Sequence, residues 1–206
     1  MTHAGHSYAG RNLADMVAIA DAERVAVVRA ADNLRTAGHA APIISMGSSP
    51  TARHAESLTG VTEVRAGVYM FGDLFQAEVG THAMDDIALT VLTSVIGRRP
   101  GRLLVDAGGL ALSKDRSTEA APRDYGFGRV LDVAGNPTHG DALVRRAYQE
   151  HGVVEPDRAH RLDPPIGAKL RIAPNHTCMT AAAHDRYHVI EGSDEIVAIW
   201  TRVKAW

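Results

Sequence analysis

The feature that most constrains the fold is a change in the spacing of apolar residues near residue 83. Before that point, apolar residues recur every three or four positions over 13–34, which predicts one amphipathic helix with Asn12 as its N-terminal cap. Two apolar runs, at 42–46 and 63–71, are typical of buried strands, and residues such as Gly and Ser interrupt or end them. Helices that alternate with such strands predict a parallel α/β structure in this part of the chain.

Beyond residue 83, short runs rich in β-branched residues replace the helical periodicity. These runs lie at 87–96, 102–106, 169–172, 188–190 and 196–200. Turn residues separate them, which favours an antiparallel β domain. The predicted fold class is therefore α/β plus β, with one domain at 1–84, a second at 85–206 and a boundary near 83–86.

Composition limits the classes of partner. The chain has 206 residues, 45% of them hydrophobic, which is enough to bury a core. Its net charge of -2 gives no electrostatic reason to expect nucleic acid or a membrane surface as partner. No run approaches the roughly 18 apolar residues that span a bilayer, and the first residues do not resemble a secretory signal. A single cysteine excludes an internal disulfide, so we expect a reducing, cytoplasmic location.

The segment 174–178, Pro-Asn-His-Thr-Cys, is the strongest local indication of chemistry. In an extended segment, side chains two positions apart project from the same face, so His176 and Cys178 could reach one metal ion. An imidazole and a thiolate suit Zn²⁺ better than Mg²⁺ or Ca²⁺, and two protein ligands leave positions open for catalysis. On spacing alone, a small buried cysteine beside a hydrogen-bonded histidine is the commoner explanation.

Two further segments are candidate anion sites. The run 45–51 is a strand end with Gly and hydroxyl residues, whose N–H and O–H groups could cradle a phosphate. An ordinary capped turn into a helix explains that run equally well. In the segment 63–69, Arg65 could reach a cofactor's phosphate or ring nitrogen, and Tyr69 could donate its hydroxyl. A surface arginine and a core tyrosine are the alternative.

Proton-transfer groups are dense at the start of the chain. His3, His6 and Tyr8 lie within six residues, although a frayed N-terminus would explain them too. Glu150 and His151 pair a carboxylate with an imidazole before a glycine, for which a solvated helix end is the simpler explanation.

Six segments, taken together and in order, resemble one family. They are His-Ala-Gly-His-Ser-Tyr, Ser-Met-Gly-Ser-Ser-Pro-Thr, Val-Arg-Ala-Gly-Val-Tyr-Met-Phe, Val-Asp-Ala-Gly-Gly-Leu-Ala-Leu-Ser-Lys-Asp, Gln-Glu-His-Gly and Pro-Asn-His-Thr-Cys. They are similar to the second half of the D-threonine aldolase and D-serine dehydratase family, which shares the alanine racemase fold. The resemblance covers essentially the whole chain. Each motif is common alone, but six in the same order are specific.

The resemblance implies the C-terminal portion of a (β/α)₈ barrel that binds pyridoxal 5'-phosphate (PLP), followed by an antiparallel metal-binding β domain. It implies that His176 and Cys178 hold Zn²⁺ or Mn²⁺ close to the cofactor. The residues implied at the cofactor are Gly47, Ser48, Arg65, Gly67, Tyr69 and Tyr8, with Tyr8 lining the substrate pocket and His6 nearby. In this chain Ala66 and Val68 replace the Pro and Asn that usually precede that tyrosine.

The implied reaction is a lyase reaction on a D-β-hydroxy amino acid. PLP withdraws electrons from Cα, and the metal acts as a Lewis acid on the β-oxygen. Loss of that oxygen gives dehydration, whereas cleavage of the Cα–Cβ bond gives an aldehyde and glycine. The sequence does not choose between the two. A racemase would share the fold, but it has no use for a metal at the β-oxygen.

The family's Schiff-base lysine has no counterpart here. The chain contains only Lys114, Lys169 and Lys204, and none matches the family's position. The predicted α/β part, residues 1–84, is also too short for a complete (β/α)₈ barrel, which needs roughly 200 residues. We expect a homodimer, or a complementing N-terminal barrel half, for activity. The alternative is a non-catalytic metal-binding remnant of such an enzyme.

Overall fold

The computed structural model describes residues 1–10, 12–157 and 162–203, so Lys204 lies outside the described residues. The chain divides into two compact units. The α/β unit comprises Met1–Gly72 and Gln76–Asp86, and the β unit comprises Asp73–Phe75 and Ile87–Trp206. In the part of the chain that the structure describes, no helix combines the length and the hydropathy that crossing a membrane requires.

The α/β unit is built on one long helix and a two-stranded parallel sheet. Its helices are α1 (Leu13–Thr36), α2 (Ser49–His54) and α3 (Leu74–Glu78, which continues into the unit from the β unit); its strands are β1 (Ser45–Met46) and β2 (Glu63–Val64); 3₁₀ helices span Gly5–Ala9, Gly67–Met70 and Met84–Asp86. The parallel pairing joins Ser45 to Glu63 and Met46 to Val64, which confirms the predicted parallel arrangement.

The predicted first helix is confirmed as α1. The side chain of Asn12 accepts a hydrogen bond from the N–H of Asp15 at 2.9 Å, which caps the helix start. The buried face of α1 presents Val27 and Ala31 to Ile44 and Met46, and these four residues form the core of the unit. Packing of this face against β1 fixes the strand whose end carries the Gly-Ser segment.

The strand predicted over 63–71 is wrong beyond Val64. Glu63–Val64 is extended, but Gly67–Met70 forms a 3₁₀ helix. Gly67 has a φ of +63°, in the left-handed region that side chains other than glycine rarely adopt, and this turns the backbone out of the strand. The strand predicted over 42–46 is likewise reduced to its last two residues.

The β unit contains a closed antiparallel barrel of six strands in the order β3-β4-β7-β6-β5-β8. Its elements are β3 (Val91–Arg99), β4 (Arg102–Val105), α4 (Gly109–Leu112), β5 (Gly128–Leu131), β6 (Leu143–Ala147), β7 (Gly152–Glu155), β8 (Lys169–Pro174) and α5 (Thr177–Ala183), followed by a separate antiparallel hairpin of β9 (Arg186–Ile190) and β10 (Ile196–Thr201). The predicted antiparallel β structure is confirmed. Strand β8 carries the chain from the barrel core, where Ile172 is fully buried, to the segment that contains His176.

Candidate functional site

The segment 174–178 leaves the barrel at the end of β8 and turns into a helix. His176 is the N-cap of α5, with extended backbone angles, and Cys178 lies in the first turn of that helix. The prediction that both residues sit in an extended segment is therefore wrong, and strand alternation does not bring them together. The carboxylate of Asp73 accepts a hydrogen bond from the N–H of Thr177 at 2.9 Å, which satisfies one of the free N–H groups at the helix start.

The imidazole of His176 lies between two carboxylates. Its Nδ1 is 2.9 Å from Oδ2 of Asp73, whose side chain is fully buried, and its Nε2 is 4.0 Å from Oδ2 of Asp115. The Nδ1 contact has the distance of an ion pair but lacks the alignment of a hydrogen bond, so it is chiefly electrostatic. Phe75 meets the ring edge-on at 6.2 Å between centroids. The ring is therefore held in one orientation.

The surroundings of His176 favour positive charge. Burial alone would lower its pKa, but contacts with Asp73 and with Cys178 outweigh burial and raise the pKa to about 10. Without a metal, the ring carries a proton at neutral pH. A divalent cation at the same place would meet the same negative groups, so the charge distribution fits a metal ion.

The donor set also fits a zinc ion with open coordination positions. His176 offers a nitrogen and Cys178, which is exposed, offers a sulfur. In a tetrahedral site with bonds of about 2.1 Å, ligand atoms lie roughly 3.4 Å apart, so Asp115 at 4.0 Å lies just outside bonding geometry. Accordingly, within the described residues no group of three His, Cys, Asp or Glu side chains is arranged to hold a metal.

Asn175, the residue before His176, is hydrogen-bonded to a second segment of the β unit. Its side chain is buried and donates hydrogen bonds to Oγ1 of Thr118 at 2.6 Å and to the carbonyl of Gly126 at 2.7 Å. The N–H of Thr118 returns a hydrogen bond to the Asn175 carbonyl oxygen atom Oδ1 at 3.2 Å. These contacts anchor the long segment between α4 and β5, which carries Asp115.

Sequence reasoning missed Asp73, Asp115 and Asn175. Asn175 lies beside His176 in the quoted motif, and Asp115 closes the Ser-Lys-Asp motif, so both carried a local signal. Asp73 carried none, because it lies 104 positions before Thr177 and only the fold brings them together.

In the α/β unit, Gly47 and Ser48 form the turn from β1 into α2. Gly47 has a φ of +140°, and a Cβ there would lie 2.3 Å from the carbonyl oxygen of Arg65. Its N–H donates to the buried carboxylate of Glu23 at 3.1 Å. Ser48 caps α2 in a reciprocal capping box with Thr51. The N–H groups of Gly47 and Ser48 are therefore already used within the protein.

Gly67 lies against the start of α2. A Cβ on Gly67 would lie 2.9 Å from Oγ of Ser49 and 3.9 Å from its backbone nitrogen. The first N–H groups of a helix have no partner within the helix and attract anions. In α2, Pro50 has no N–H and that of Thr51 is capped by Ser48, so the N–H of Ser49 is the one that remains at these positions. The structure brings Gly47, Ser48 and Gly67 together around this N–H, and the arrangement is a candidate anion cradle.

Other predicted site residues have different surroundings. The guanidinium of Arg65 donates hydrogen bonds to Oγ of Ser45 and to the carbonyl of Thr2. Tyr69 is 62% exposed, and its carbonyl oxygen lies 2.7 Å from Nε2 of His82. These contacts hold the guanidinium of Arg65 at Ser45 and Thr2, whereas the contact of Tyr69 involves its backbone alone.

His6 and Tyr8, near the N-terminus, have different surroundings. His6 is exposed, whereas Tyr8 is half-buried and its ring lies 6.1 Å from that of His3. Nδ1 of His3 lies 3.1 Å from the carbonyl oxygen of Gly47. Tyr8 therefore lies near the β1–α2 turn through His3, and His6 does not take part in these contacts.

Comparison with known proteins gives one family match and several similar relatives. A family model described as a serine dehydratase domain matches residues 88–190. The D-threo-3-hydroxyaspartate dehydratase of a Delftia species is 43% identical over the whole chain, and D-serine dehydratase of Dictyostelium discoideum is 32% identical. The chain spans 56% and 53% of these relatives, about half of their length. An uncharacterized protein of Mycobacterium tuberculosis is 39% identical over 127 residues. This alignment covers 59% of the present chain and 86% of that relative.

Solved structures of similar proteins also match the whole chain. An alanine racemase-like protein from Idiomarina loihiensis superposes over the whole chain with a TM-score of 0.90 at 42% identity, and the chain covers 56% of it. Two structures of D-threo-3-hydroxyaspartate dehydratase, with TM-scores of 0.88 and 0.89, carry alanine in place of a cysteine or of a histidine two positions before it. The cysteine variant is in the metal-free form.

Proposed function

Since this chain belongs to the serine dehydratase domain family, we propose that it supplies the metal-binding part and the cofactor-phosphate part of a lyase for D-β-hydroxy amino acids. The observation that carries the proposal is the imidazole of His176 beside the thiol of Cys178, held among carboxylates. The histidine and cysteine replaced in the Delftia relative have the same spacing. Because the chain spans about half of such relatives, the activity is proposed for the protein that contains it.

In this proposal His176 and Cys178 hold the divalent metal. When bound, the metal supplies a Lewis acid for the β-oxygen of the substrate. The thiol favours Zn²⁺ over Mn²⁺, because soft sulfur ligands select zinc. Asp115, at 4.0 Å from Nε2 of His176, adds negative charge beside the open positions and can accept a hydrogen bond there.

The start of α2 and Gly67 would hold the phosphate of PLP. When bound, the cofactor supplies an electron sink for negative charge at Cα. A Cβ at position 67 would lie 2.9 Å from Oγ of Ser49 and 3.9 Å from its backbone nitrogen, so the glycine keeps the space beside this N–H free of a side chain. Gly47 and Ser48 shape this turn rather than donate to the anion. We propose that Tyr8 lines the cofactor pocket.

The Schiff-base lysine is proposed to come from outside this chain. Lys114 donates to the carbonyl of Ala147 and lies 5.5 Å over the ring of Phe127. Lys169 donates to Oγ of Ser94 at 2.7 Å. Both ammonium groups are thus engaged around the barrel of the β unit. A complementing polypeptide that carries the N-terminal barrel half, in the cytoplasm, would have to provide the lysine.

Dehydration is the proposed reaction, because the relatives that match the whole chain at more than 30% identity are dehydratases by name. The test supplies PLP, zinc and D-threo-3-hydroxyaspartate or D-serine, with and without the part of the Delftia dehydratase that this chain does not match. Release of ammonia with a keto acid indicates dehydration, and release of an aldehyde with glycine indicates aldol cleavage. His176→Ala is the control that should remove either activity.

Activity of the chain alone would contradict an external lysine, and borohydride reduction followed by mass spectrometry would then identify the lysine that carries the cofactor. No activity in any mixture, with zinc retained, would contradict the lyase. It would leave the second candidate, a metal-binding module without catalysis. That candidate is favoured by the Mycobacterium relative, because an alignment of only 127 residues covers 86% of it.

A further inference from the structure

We infer that Asp73 is the positioning residue of the proposed metal centre, and that its carboxylate fixes the positions of both metal ligands. It holds the ring of His176 so that Nε2 faces the metal, and it fixes the helix turn that presents Cys178. The inference rests on the proposed metal site at His176 and Cys178.

The burial of Asp73 requires an explanation. Its side chain is fully buried, and a carboxylate without compensating partners is costly in such a place. One oxygen, Oδ2, lies 2.9 Å from Nδ1 of His176 and also accepts the N–H of Thr177 at 2.9 Å. The negative charge is therefore directed at the segment that carries the two ligands.

The position of Asp73 determines which ring nitrogen is available. A neutral imidazole carries one proton, and an adjacent carboxylate favours that proton on the nitrogen beside it. Here that nitrogen is Nδ1, so the lone pair lies on Nε2, which faces Asp115. Phe75, two residues beyond Asp73, packs edge-on against the ring and restricts its rotation. A carboxylate behind a metal-bound histidine typically raises the metal affinity of the ligand.

Asp73 also acts on the second ligand through the backbone. Its hydrogen bond to Thr177 fixes the first turn of α5, and Cys178 is the next residue of that turn. Since α5 has seven residues, few hydrogen bonds of its own hold this turn in place. Loss of Asp73 would therefore loosen both ligands at once.

The test measures zinc affinity of the 206-residue chain by competition with a chelator. Asp73→Asn keeps an oxygen that can accept the N–H of Thr177 but removes the charge beside His176. We expect zinc affinity to fall about 10- to 100-fold, the usual effect of losing such a carboxylate. Asp185→Asn, which removes an exposed carboxylate paired with Arg186, is the matched control and should leave zinc affinity unchanged.

A second readout separates positioning from general stability. Nitrogen NMR of the zinc-bound chain should show His176 protonated at Nδ1 and bound to the metal through Nε2. Binding through Nδ1, or unchanged affinity in Asp73→Asn while His176→Ala loses zinc, overturns the role of Asp73 alone. Unchanged affinity in both Asp73→Asn and His176→Ala overturns the proposed metal site itself. If Asp73→Asn does not fold, the tautomer of His176 in the zinc-bound chain without substitutions decides whether Asp73 has this role.

Discussion

The two candidate sites are built from different parts of the polypeptide. In the β unit, the proposed metal centre depends on side chains: His176 and Cys178 as the proposed donors, and Asp73 as a buried carboxylate behind the ring. In the α/β unit, the anion cradle depends on the backbone, with Gly47 and Gly67 in conformations that leave no space for a Cβ. A side-chain site fails when its charge or donor is removed, whereas a backbone site fails when an atom is added.

The largest expected effect is loss of a donor in the β unit. His176→Ala should weaken zinc binding about 1,000-fold or more, because one remaining protein ligand cannot hold the ion against water. Cys178→Ala should act in the same direction. Zinc affinity, measured by chelator competition, checks both variants. His188→Ala, at an exposed position of β9, is the matched control, and a similar loss there would contradict the assignment of the ligands.

Addition of one methyl group should be the most damaging change in the α/β unit. Gly47→Ala places a Cβ 2.3 Å from the carbonyl oxygen of Arg65 at a φ of +140°, and should cost about 3 kcal/mol or more of stability. Hydrogen exchange of peptides from α1 should rise, while zinc affinity of the β unit should not change. This contrast would sharpen the difference between the two sites.

Gly38→Ala is the control for this clash. Gly38 has a φ of +83° but no atom within 4 Å of a Cβ, so only backbone strain of about 1 kcal/mol is expected. Equal destabilisation by both alanines would show that strain, and not the close approach of Arg65, determines the cost.

A smaller effect is expected from the support behind the metal centre. Asn175→Ala leaves the partners of its side chain, Thr118 and Gly126, without these hydrogen bonds, and should cost about 1–3 kcal/mol. Limited proteolysis should then cut the segment 113–127 faster. Asn33→Ala is the control, because Asn33 is an exposed residue of α1, outside this segment.

Prediction from sequence succeeded where the signal was local and periodic. The helix Leu13–Thr36, its Asn12 cap and the hairpins of the β unit follow from apolar spacing and turn residues. The barrel strands β5, β6 and β7 were not predicted, because none of them has more than two consecutive apolar side chains, whereas β4, with four residues, has three.

The metal donors stay a prediction, and the geometry around them did not follow from the sequence. His176 and Cys178 were selected from a motif, yet the reason given for their proximity was wrong, because a helix start replaces the expected strand. The start of that helix is satisfied by Asp73, a residue far away in sequence. Long-range contacts of this kind leave no periodic signal, so only the structure reveals them.

The smallest expected effect concerns how much an exposed carboxylate of the β unit, away from the proposed metal centre, contributes to stability. Asp106 is exposed and accepts hydrogen bonds from Oγ1 of Thr93 at 2.6 Å and from the N–H of Ser94 at 2.7 Å. Partial burial would raise its pKa, but these bonds, with Lys169 nearby, outweigh burial and hold the pKa below its usual range. The resulting stability is present above the ordinary carboxyl pKa and is lost as pH falls through the lowered value.

Asp106→Asn should therefore cost about 0.5 kcal/mol near neutral pH, as expected for a solvent-screened carboxylate, and should cost nothing in strong acid. Thermal unfolding of both chains from about pH 7 down to about pH 1.5, well below the ordinary carboxyl pKa, measures the difference. A difference that persists unchanged at low pH would mean that Asp106 acts through shape rather than charge. Loss of the difference in acid would show that Asp106 acts through charge that solvent weakens, in contrast to the buried carboxylate of Asp73.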